Sequence, residues 1–137
     1  MLGAVESRRR STRGFTLVEL VIVIAIMGIL ATMAVSGFRR FVTTAREVEG
    51  ESAVMEVKKL QDAFRIEMGG YSDDLLAIGY DKTGQTKFYD VAIQPGAPGS
   101  GIAYEAIATP VPGLNLRTWT FTKREDGTWT LGRAGGP

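Results

Sequence analysis

The sequence predicts an α+β protein in which a long N-terminal helix, its first half transmembrane, packs on a small antiparallel sheet of three to four strands. Three observations lead to this prediction. Residues 15–35 are almost entirely apolar, residues 36–68 have the period of an amphipathic helix, and residues 69–137 alternate strand patterns with loops. The length of 137 residues is that of one ordinary domain, so two full domains are not expected.

The composition excludes several classes of protein. The 16 Lys and Arg residues balance 15 Asp and Glu residues, and 45% of the chain is hydrophobic, which does not fit a disordered protein. The absence of Cys excludes a disulfide scaffold and a Cys-based zinc site, and the absence of His removes the commonest general base. Because the sequence has no nucleophile with a base and no phosphate-binding loop, we expect no enzyme activity, no cofactor and no metal.

The apolar segment can cross a lipid bilayer. It runs from Phe15 to Val35 and contains one charged residue, Glu19. A helix of this length rises about 31 Å, which matches a hydrocarbon core of about 30 Å. Four arginines precede the segment, so we expect the N-terminus in the cytoplasm and the remainder of the chain outside. These arginines are Arg8, Arg9, Arg10 and Arg13.

The carboxylate of Glu19 needs compensation, because a charge at the centre of a membrane helix costs about 2.5 to 3.5 kcal/mol on insertion scales. One candidate is a capping box, since Thr16 and Glu19 have the Thr-x-x-Glu spacing of a helix start. A second is a shallow position from which the side chain reaches the membrane interface.

Three small residues, Gly28, Thr32 and Ser36, recur every four positions and share one helix face. Such a face allows close approach of another helix, although incidental small residues in a lipid-facing helix give the same pattern. Ser36 and Gly37 are weak helix formers, so the helix could loosen there.

The run Arg13-Gly14-Phe15-Thr16-Leu17-Val18-Glu19-Leu20, with the apolar helix after it, resembles the N-terminus of type IV pilins and pseudopilins. In that family a membrane peptidase cuts after the glycine of a basic leader, and the new N-terminal residue is N-methylated. The resemblance implies a leader over residues 1–14, cleavage between Gly14 and Phe15, and methylation of Phe15. It is specific for roughly the first 55 residues and architectural thereafter.

The resemblance also implies a role for Glu19, which would pair with the free amine of Phe15 in its own or a neighbouring subunit. An α-amino group with a pKa of about 7.7 to 8.0 is largely cationic at neutral pH, so we favour this pairing over the cap. In such filaments the helices bundle, which would give the face of Gly28, Thr32 and Ser36 a packing partner.

The function implied is that of a structural subunit of a type IV pilus, serving adhesion or twitching motility. Its partners would be other pilin subunits, the prepilin peptidase, the assembly platform with its ATPase, and the membrane. The protein would be a single-pass protein of the cytoplasmic (inner) membrane before assembly and part of a cell-surface filament afterwards.

Two alternatives remain open. One is a pseudopilin of a type II protein secretion or DNA-uptake system. The other, of a different class, is a secreted or membrane-anchored binding domain that does not polymerise, reached through ordinary signal cleavage near Ala34 or Gly37. The apolar run from Leu20 to Val35 disfavours such a signal, because its 16 residues exceed the usual apolar region of about 7 to 15.

An amphipathic pattern continues the helix to Met68, where Gly69 and Gly70 are expected to end it. We interpret its charged stripe as a solvated face with local ion pairs, a subunit contact being the alternative. The stripe comprises Arg40, Glu47, Glu51, Lys58, Asp62 and Arg65, with Lys58–Asp62 and Asp62–Arg65 as pairs. The apolar side comprises Val42, Ala45, Ala53, Val57, Leu60, Ala63 and Phe64.

The C-terminal region reads as short strands, of which the clearest form a hairpin turning at Asp126-Gly127. Trp119 and Phe121 share one face of this hairpin, and Trp129 is expected to point inward with them. Earlier strand patterns cover residues 89–93 and 102–108, and one helical turn is expected near residues 73–78.

Two further binding activities were considered for this region. Asp73, Asp74 and Asp81 follow no defined calcium-loop spacing, so we interpret them as a polar surface loop. Basic residues near the tryptophans are compatible with DNA contacts, but acidic neighbours interrupt them and we expect no intrinsic DNA binding. These basic residues are Arg117, Lys123, Arg124 and Arg133.

Overall fold

The computed structural model describes residues 14–83 and 86–136, which form one long helix and four strands. Helix α1 comprises Leu17–Met68, and the strands are β1 Tyr89–Pro95, β2 Ile102–Pro110, β3 Arg117–Arg124 and β4 Trp129–Gly135. The predicted α+β class is therefore confirmed, with four strands. The predicted leader lies outside the described residues except for Gly14. Contacts divide the chain into two compact units, Met1–Arg39 and Arg40–Pro137.

Helix α1 is continuous through Ser36 and Gly37, so the loosening considered there is absent. It ends at Met68, and Gly69 follows with a φ of 80°, the left-handed conformation expected just past a helix C-terminus. The Gly69 N–H donates to the Arg65 carbonyl at 2.8 Å. The segment near residues 75–79 forms hydrogen-bonded turns and no regular helix.

The four strands form an antiparallel sheet in the order β1-β2-β3-β4, so every strand pairs with its neighbour in sequence. Phe121 lies opposite Ala106 of β2 and opposite Leu131 of β4. Alternating side chains of β1, β2 and β3 are buried, whereas in β4 only Leu131 is even partly buried. One face of the first three strands therefore forms the wall of the core.

The second half of α1 supplies the opposite wall of that core. Its buried residues are Gly50, Ala53, Val54, Val57 and Gln61. The sequence identified Ala53 and Val57 correctly, but Ala45 and Ala63 are exposed. The buried face lies closer to the charged stripe than predicted. Gly50 permits close approach of the sheet there, and the Gln61 amide is buried because it forms hydrogen bonds with Ser72.

Two polar side chains of α1 connect the helix to the loop before β1. The Gln61 amide accepts a hydrogen bond from the Ser72 N–H at 3.1 Å and donates one to the Ser72 carbonyl. The Glu49 carboxylate accepts hydrogen bonds from the backbone N–H groups of Lys87 and Phe88, the latter at 2.7 Å. These bonds provide partners for loop backbone groups that form no hydrogen bonds within the sheet.

The charged stripe is only partly a solvated face. The predicted pair of Lys58 with Asp62 is confirmed at 2.8 Å, whereas Arg65 donates to the Tyr71 hydroxyl at 2.9 Å. Glu47 retains only 12% of its side-chain exposure and lies 4.0 Å from the Arg117 guanidinium of β3. Glu47 therefore belongs to the helix–sheet contact, so the simple solvated-face interpretation is wrong at this position.

The hairpin of β3 and β4 corrects a second expectation. Trp119 and Phe121 are buried at 8% and 0% exposure, as predicted, but Trp129 is 48% exposed. The Trp129 ring stacks on Phe121 with centroids 5.6 Å apart, so it faces the predicted side of the sheet without being covered. The helix covers β1 to β3, which leaves the ring of Trp129 beyond the covered area.

Candidate functional site

The predicted processing site lies immediately before α1. Gly14 and Phe15 are exposed and precede the first helical residue, Leu17. The Phe15 ring retains 72% of its exposure, and a side chain built at Gly14 would meet no atom within 4 Å. The peptide bond between them therefore lies in exposed backbone outside the helix.

Glu19 and Thr16 form the capping box that the sequence offered as one interpretation. The Glu19 carboxylate accepts hydrogen bonds from the Thr16 N–H at 2.9 Å and from the Thr16 hydroxyl at 2.7 Å. The Thr16 hydroxyl accepts in turn from the Glu19 N–H at 3.2 Å. Two backbone N–H groups at the helix start are thereby satisfied. Pairing of Glu19 with a Phe15 amine remains a prediction, because Phe15 here carries a peptide nitrogen.

The first half of α1 exposes a continuous apolar surface. Among the described residues it is the one helix long and apolar enough to cross a membrane, and none of its most apolar window is buried. The exposed residues continue past the predicted end of the span at Val35 to Phe38, which is 67% exposed. Such a surface is typical of a helix that lipid or other helices cover.

The three small residues on this surface are exposed as well. A side chain built at Gly28 would meet no neighbouring atom within 4 Å, so the site is open for a close approach. The hydroxyls of Thr32 and Ser36 donate to the carbonyls of Ile29 and Met33, at 2.7 and 2.9 Å. Because both hydroxyls are satisfied within the helix, this face can contact an apolar surface without stranding a polar group.

The acidic loop uses its carboxylates within the turns. Asp74 accepts from the Leu76 N–H at 2.9 Å and Asp81 from the Thr83 N–H at 2.8 Å. The hydrogen bonds from Thr83 hold the pKa of Asp81 below its usual value. In the described part of the chain no three His, Cys, Asp or Glu residues are grouped so that they could hold a metal ion.

The basic residues near the tryptophans do not form one open cationic surface. Lys123 is 9% exposed and donates to the Gly127 carbonyl at 2.9 Å, and Arg117 lies beside Glu47. Arg124 and Arg133 are exposed, with Glu125 and Asp126 close to Arg124 in sequence. The candidate DNA contacts are thus reduced to two exposed arginines on separate strands, and the charge of Arg124 acts on the nearby Asp126 carboxylate.

Comparison with known proteins identifies the N-terminal region. Residues 9–35 match the family described as the prokaryotic N-terminal methylation motif. These residues include the predicted cleavage bond, Glu19 and the whole apolar segment, which are the residues that carried the resemblance in the sequence.

Similarity to curated proteins extends over most of the chain. The type IV major pilin protein PilA of Myxococcus xanthus is 36% identical over 105 residues, which is 76% of this chain and 46% of that protein. The type IV major pilin protein PilE of Neisseria gonorrhoeae is 27% identical over 126 residues, 88% of this chain and 74% of that protein.

A fimbrial protein of Neisseria meningitidis serogroup A is 27% identical over 126 residues, covering 88% of this chain and 73% of the relative. The chain thus spans about half the length of the Myxococcus protein and about three quarters of the Neisseria proteins. With the methylation motif, the exposed apolar helix and the helix-on-sheet fold together, the chain belongs to the family of type IV pilins and pseudopilins.

Proposed function

We propose that this protein is a structural subunit of a type IV pilus, and that it polymerises through the first half of α1. The observation that carries the proposal is the unburied apolar surface of this helix, which lies within the residues that match the methylation motif. A pilus-subunit role is preferred to a pseudopilin role because the relatives described above are named as major pilins and a fimbrial protein. By the same similarity the role is structural and not enzymatic.

The proposed sequence of events begins in the cytoplasmic membrane, where the apolar helix lies in lipid. The prepilin peptidase cuts between Gly14 and Phe15, and the new N-terminus of Phe15 is methylated. An assembly platform and an ATPase then transfer the subunit into a surface filament, in which the helices of other subunits replace lipid. The face of Gly28, Thr32 and Ser36 is the proposed contact between these helices.

Glu19 is the proposed register residue of this assembly. Once the leader is gone, Phe15 presents a positively charged amine directly before Thr16, whose N–H already donates to the Glu19 carboxylate. A subunit placed correctly pairs this amine with a Glu19 carboxylate, whereas one displaced along the axis leaves a carboxylate in apolar surroundings.

Substitutions at Glu19 separate the amine pairing from the capping box. We expect Glu19→Ala and Glu19→Val to enter the membrane normally and to lose surface filaments. Glu19→Gln is the informative variant, because glutamine preserves the box but removes the charge. We expect it to fail in assembly as Glu19→Ala does, while Thr16→Ala, which weakens the box and keeps the charge, still assembles.

The measurements are intact mass and N-terminal sequencing of the isolated protein, together with electron microscopy of surface material sheared from cells with and without this gene. A methylated Phe15 and gene-dependent filaments support the proposal. A chain that starts near Val35 or Phe38 would instead identify an exported domain, and normal filaments from Glu19→Gln would remove the register role.

A further inference from the structure

In the described part of the chain, strand β4 is an edge of the sheet that no other element covers. Its exposed residues include Trp129, whose ring is 48% exposed although it stacks on Phe121. Large aromatic rings at an unpaired edge strand are typical anchors of protein contacts, because they bury much surface at little cost in conformational entropy. The β4 edge is therefore an unpartnered surface with a candidate anchor.

Strand β4 carries one charged residue, Arg133, whereas the charges at its turn balance. Arg133 on β4 and Arg124 at the end of β3 are both exposed. Two carboxylates lie nearby in the β3–β4 turn, Glu125 and Asp126, and the Asp126 carboxylate is engaged by the Thr128 N–H at 2.8 Å and hydroxyl at 2.6 Å. These carboxylates offset Arg124, so the part of this edge that favours an acidic partner is the end of β4 that carries Arg133.

The opposite edge of the sheet carries a complementary surface. Beside β1 lies a groove of about 450 Å³, into which Leu75, Leu76 and Ile93 contribute apolar side chains and Asp73, Asp74 and Asp81 contribute carboxylates. Leu76 is 75% exposed. The groove also contains Lys82, whose ammonium group pairs with Asp90 at 3.1 Å. Its remaining charge is negative, opposite to that of Arg133 on β4.

We propose that Trp129 of one copy of this chain docks into the β1-edge groove of a second copy. The indole would cover Leu75, Leu76 and Ile93, its N–H would donate to a carboxylate of the loop, and Arg133 would lie near Asp73. This proposal rests on the proposed function, since it names the head-to-head contact between successive subunits of the filament.

The positions of the two surfaces explain why such a contact would repeat. The edges formed by β1 and β4 are separated by three strand spacings, about 14 Å. When two copies bind through these different surfaces, one copy still has a free β4 edge and the other still has a free groove. Such a heterologous contact adds further copies in one direction, as a filament requires, and does not close into a simple dimer.

Tryptophan fluorescence tests the burial of Trp129. The chain has two tryptophans, so the variant Trp119→Phe leaves Trp129 as the single emitter. We expect acrylamide to quench this emission several-fold less in sheared filaments than in detergent-dispersed subunits. Trp129→Phe is the matched control, because the remaining Trp119 is already buried and its quenching should not change. If Trp119→Phe yields no protein, the difference in quenching between wild type and Trp129→Phe gives the quenching of Trp129.

Cysteine cross-linking tests which surface Trp129 meets. The natural chain has no Cys, so Ala77→Cys combined with Ala134→Cys places one thiol beside the groove and one on β4, both exposed. We expect a short bismaleimide to convert filaments of this double variant into a ladder of covalent oligomers. Thr109→Cys with Ala134→Cys, which places the first thiol on exposed β2, should give no ladder.

The outcomes distinguish this contact from the proposed function. Filaments in which Trp129 remains fully quenchable, or in which both cysteine pairs cross-link equally, would overturn the contact and leave the pilus role intact. Dimers without higher oligomers would also overturn it, because a heterologous contact continues beyond two copies. An absence of gene-dependent filaments from the wild-type chain would instead refute the pilus role.

Discussion

The ring of Tyr89 lies where a side chain at Gly50 would have to go. A Cβ atom built on Gly50 would be 2.7 Å from Cε1 of Tyr89 and 2.8 Å from Cδ1 of Trp119. Helix α1 and the sheet therefore approach each other closely at a residue that has no side chain. Gly50 is helical and fully buried, and its role is to admit two aromatic rings beside the backbone.

We expect Gly50→Ala to lower the free energy of unfolding of the C-terminal unit by about 1 to 3 kcal/mol. Alanine improves helix propensity by about 1 kcal/mol, but its methyl group would force Tyr89 and Trp119 out of their positions. Urea unfolding of the detergent-solubilised full chain, followed by tryptophan fluorescence, measures the change.

Gly37→Ala is the matched control, because Gly37 is also helical and a side chain there meets no atom within 4 Å. We expect this variant to unfold at the wild-type urea concentration or slightly above it. Equal stability of the two variants would show that the rings adjust to a methyl group at no cost, against the close contact described above.

The amide of Gln61 provides a second prediction. Gln61 has no exposed surface and bonds both backbone groups of Ser72. Gln61→Leu keeps the volume but leaves the Ser72 N–H and carbonyl without this partner, so we expect a loss of about 1 to 3 kcal/mol and faster amide exchange at Ser72. Gln94→Leu, at an exposed position of β1, serves as the control and should change neither quantity.

The sequence predicted the fold because its strongest patterns are local. An apolar run, a helical period ended by Gly69 and a hairpin at Asp126-Gly127 each depend on residues near one another in the chain. The rotation of the helix on the sheet was missed, because Gln61 and Gly50 look unsuited to a core until their distant partners are known. Trp129 was misplaced for a similar reason, since alternation gives the side of a sheet and not the area that a helix covers.

The candidate site was predictable to a different extent. Thr-x-x-Glu spacing gives the capping box from sequence alone, and the structure contains it. Pairing of Glu19 with an amine and packing at Gly28 depend on cleavage and on other subunits. A single uncleaved chain contains neither the free amine nor a second subunit, so both stay predictions.

Tyr104 gives a prediction on alkaline stability. Its ring is 1% exposed, and among the described residues its hydroxyl has no hydrogen-bond partner. Burial raises the pKa of the Tyr104 phenol, and the carboxylate of Asp62 acts in the same direction. The folded state therefore holds the neutral form, so stability is complete below the unfolded pKa of about 10 and falls as the pH rises toward the folded value.

We expect Tyr104→Phe to raise the free energy of unfolding at neutral pH by about 1 kcal/mol, because it removes a buried hydroxyl without a partner. The variant should also lose less stability above about pH 10 than the wild type does. Part of the alkaline loss should remain, since burial raises the pKa of Tyr80 and Tyr89 too. Urea unfolding at several pH values tests this, and an unchanged alkaline slope would contradict it.

The β3–β4 turn should respond to acid in the opposite sense. Hydrogen bonds from the Thr128 hydroxyl and N–H hold the pKa of Asp126 below its usual value. The ionised carboxylate therefore supports the turn above the usual pKa of about 3.9, and this support is lost as the pH falls through the lowered value. Because Asp126 is exposed, we expect a local effect on the hairpin and not global unfolding.

The measurement is the exchange rate and chemical shift of the Thr128 amide proton as the pH is lowered. In the wild type, exchange corrected for the intrinsic acid dependence should accelerate as Asp126 becomes protonated. Asp126→Asn should abolish this step, because the amide can still accept a hydrogen bond but does not titrate. Glu125→Ala, which removes the neighbouring exposed carboxylate, should leave the step in place, and its loss there would assign the titration to Glu125 instead of Asp126.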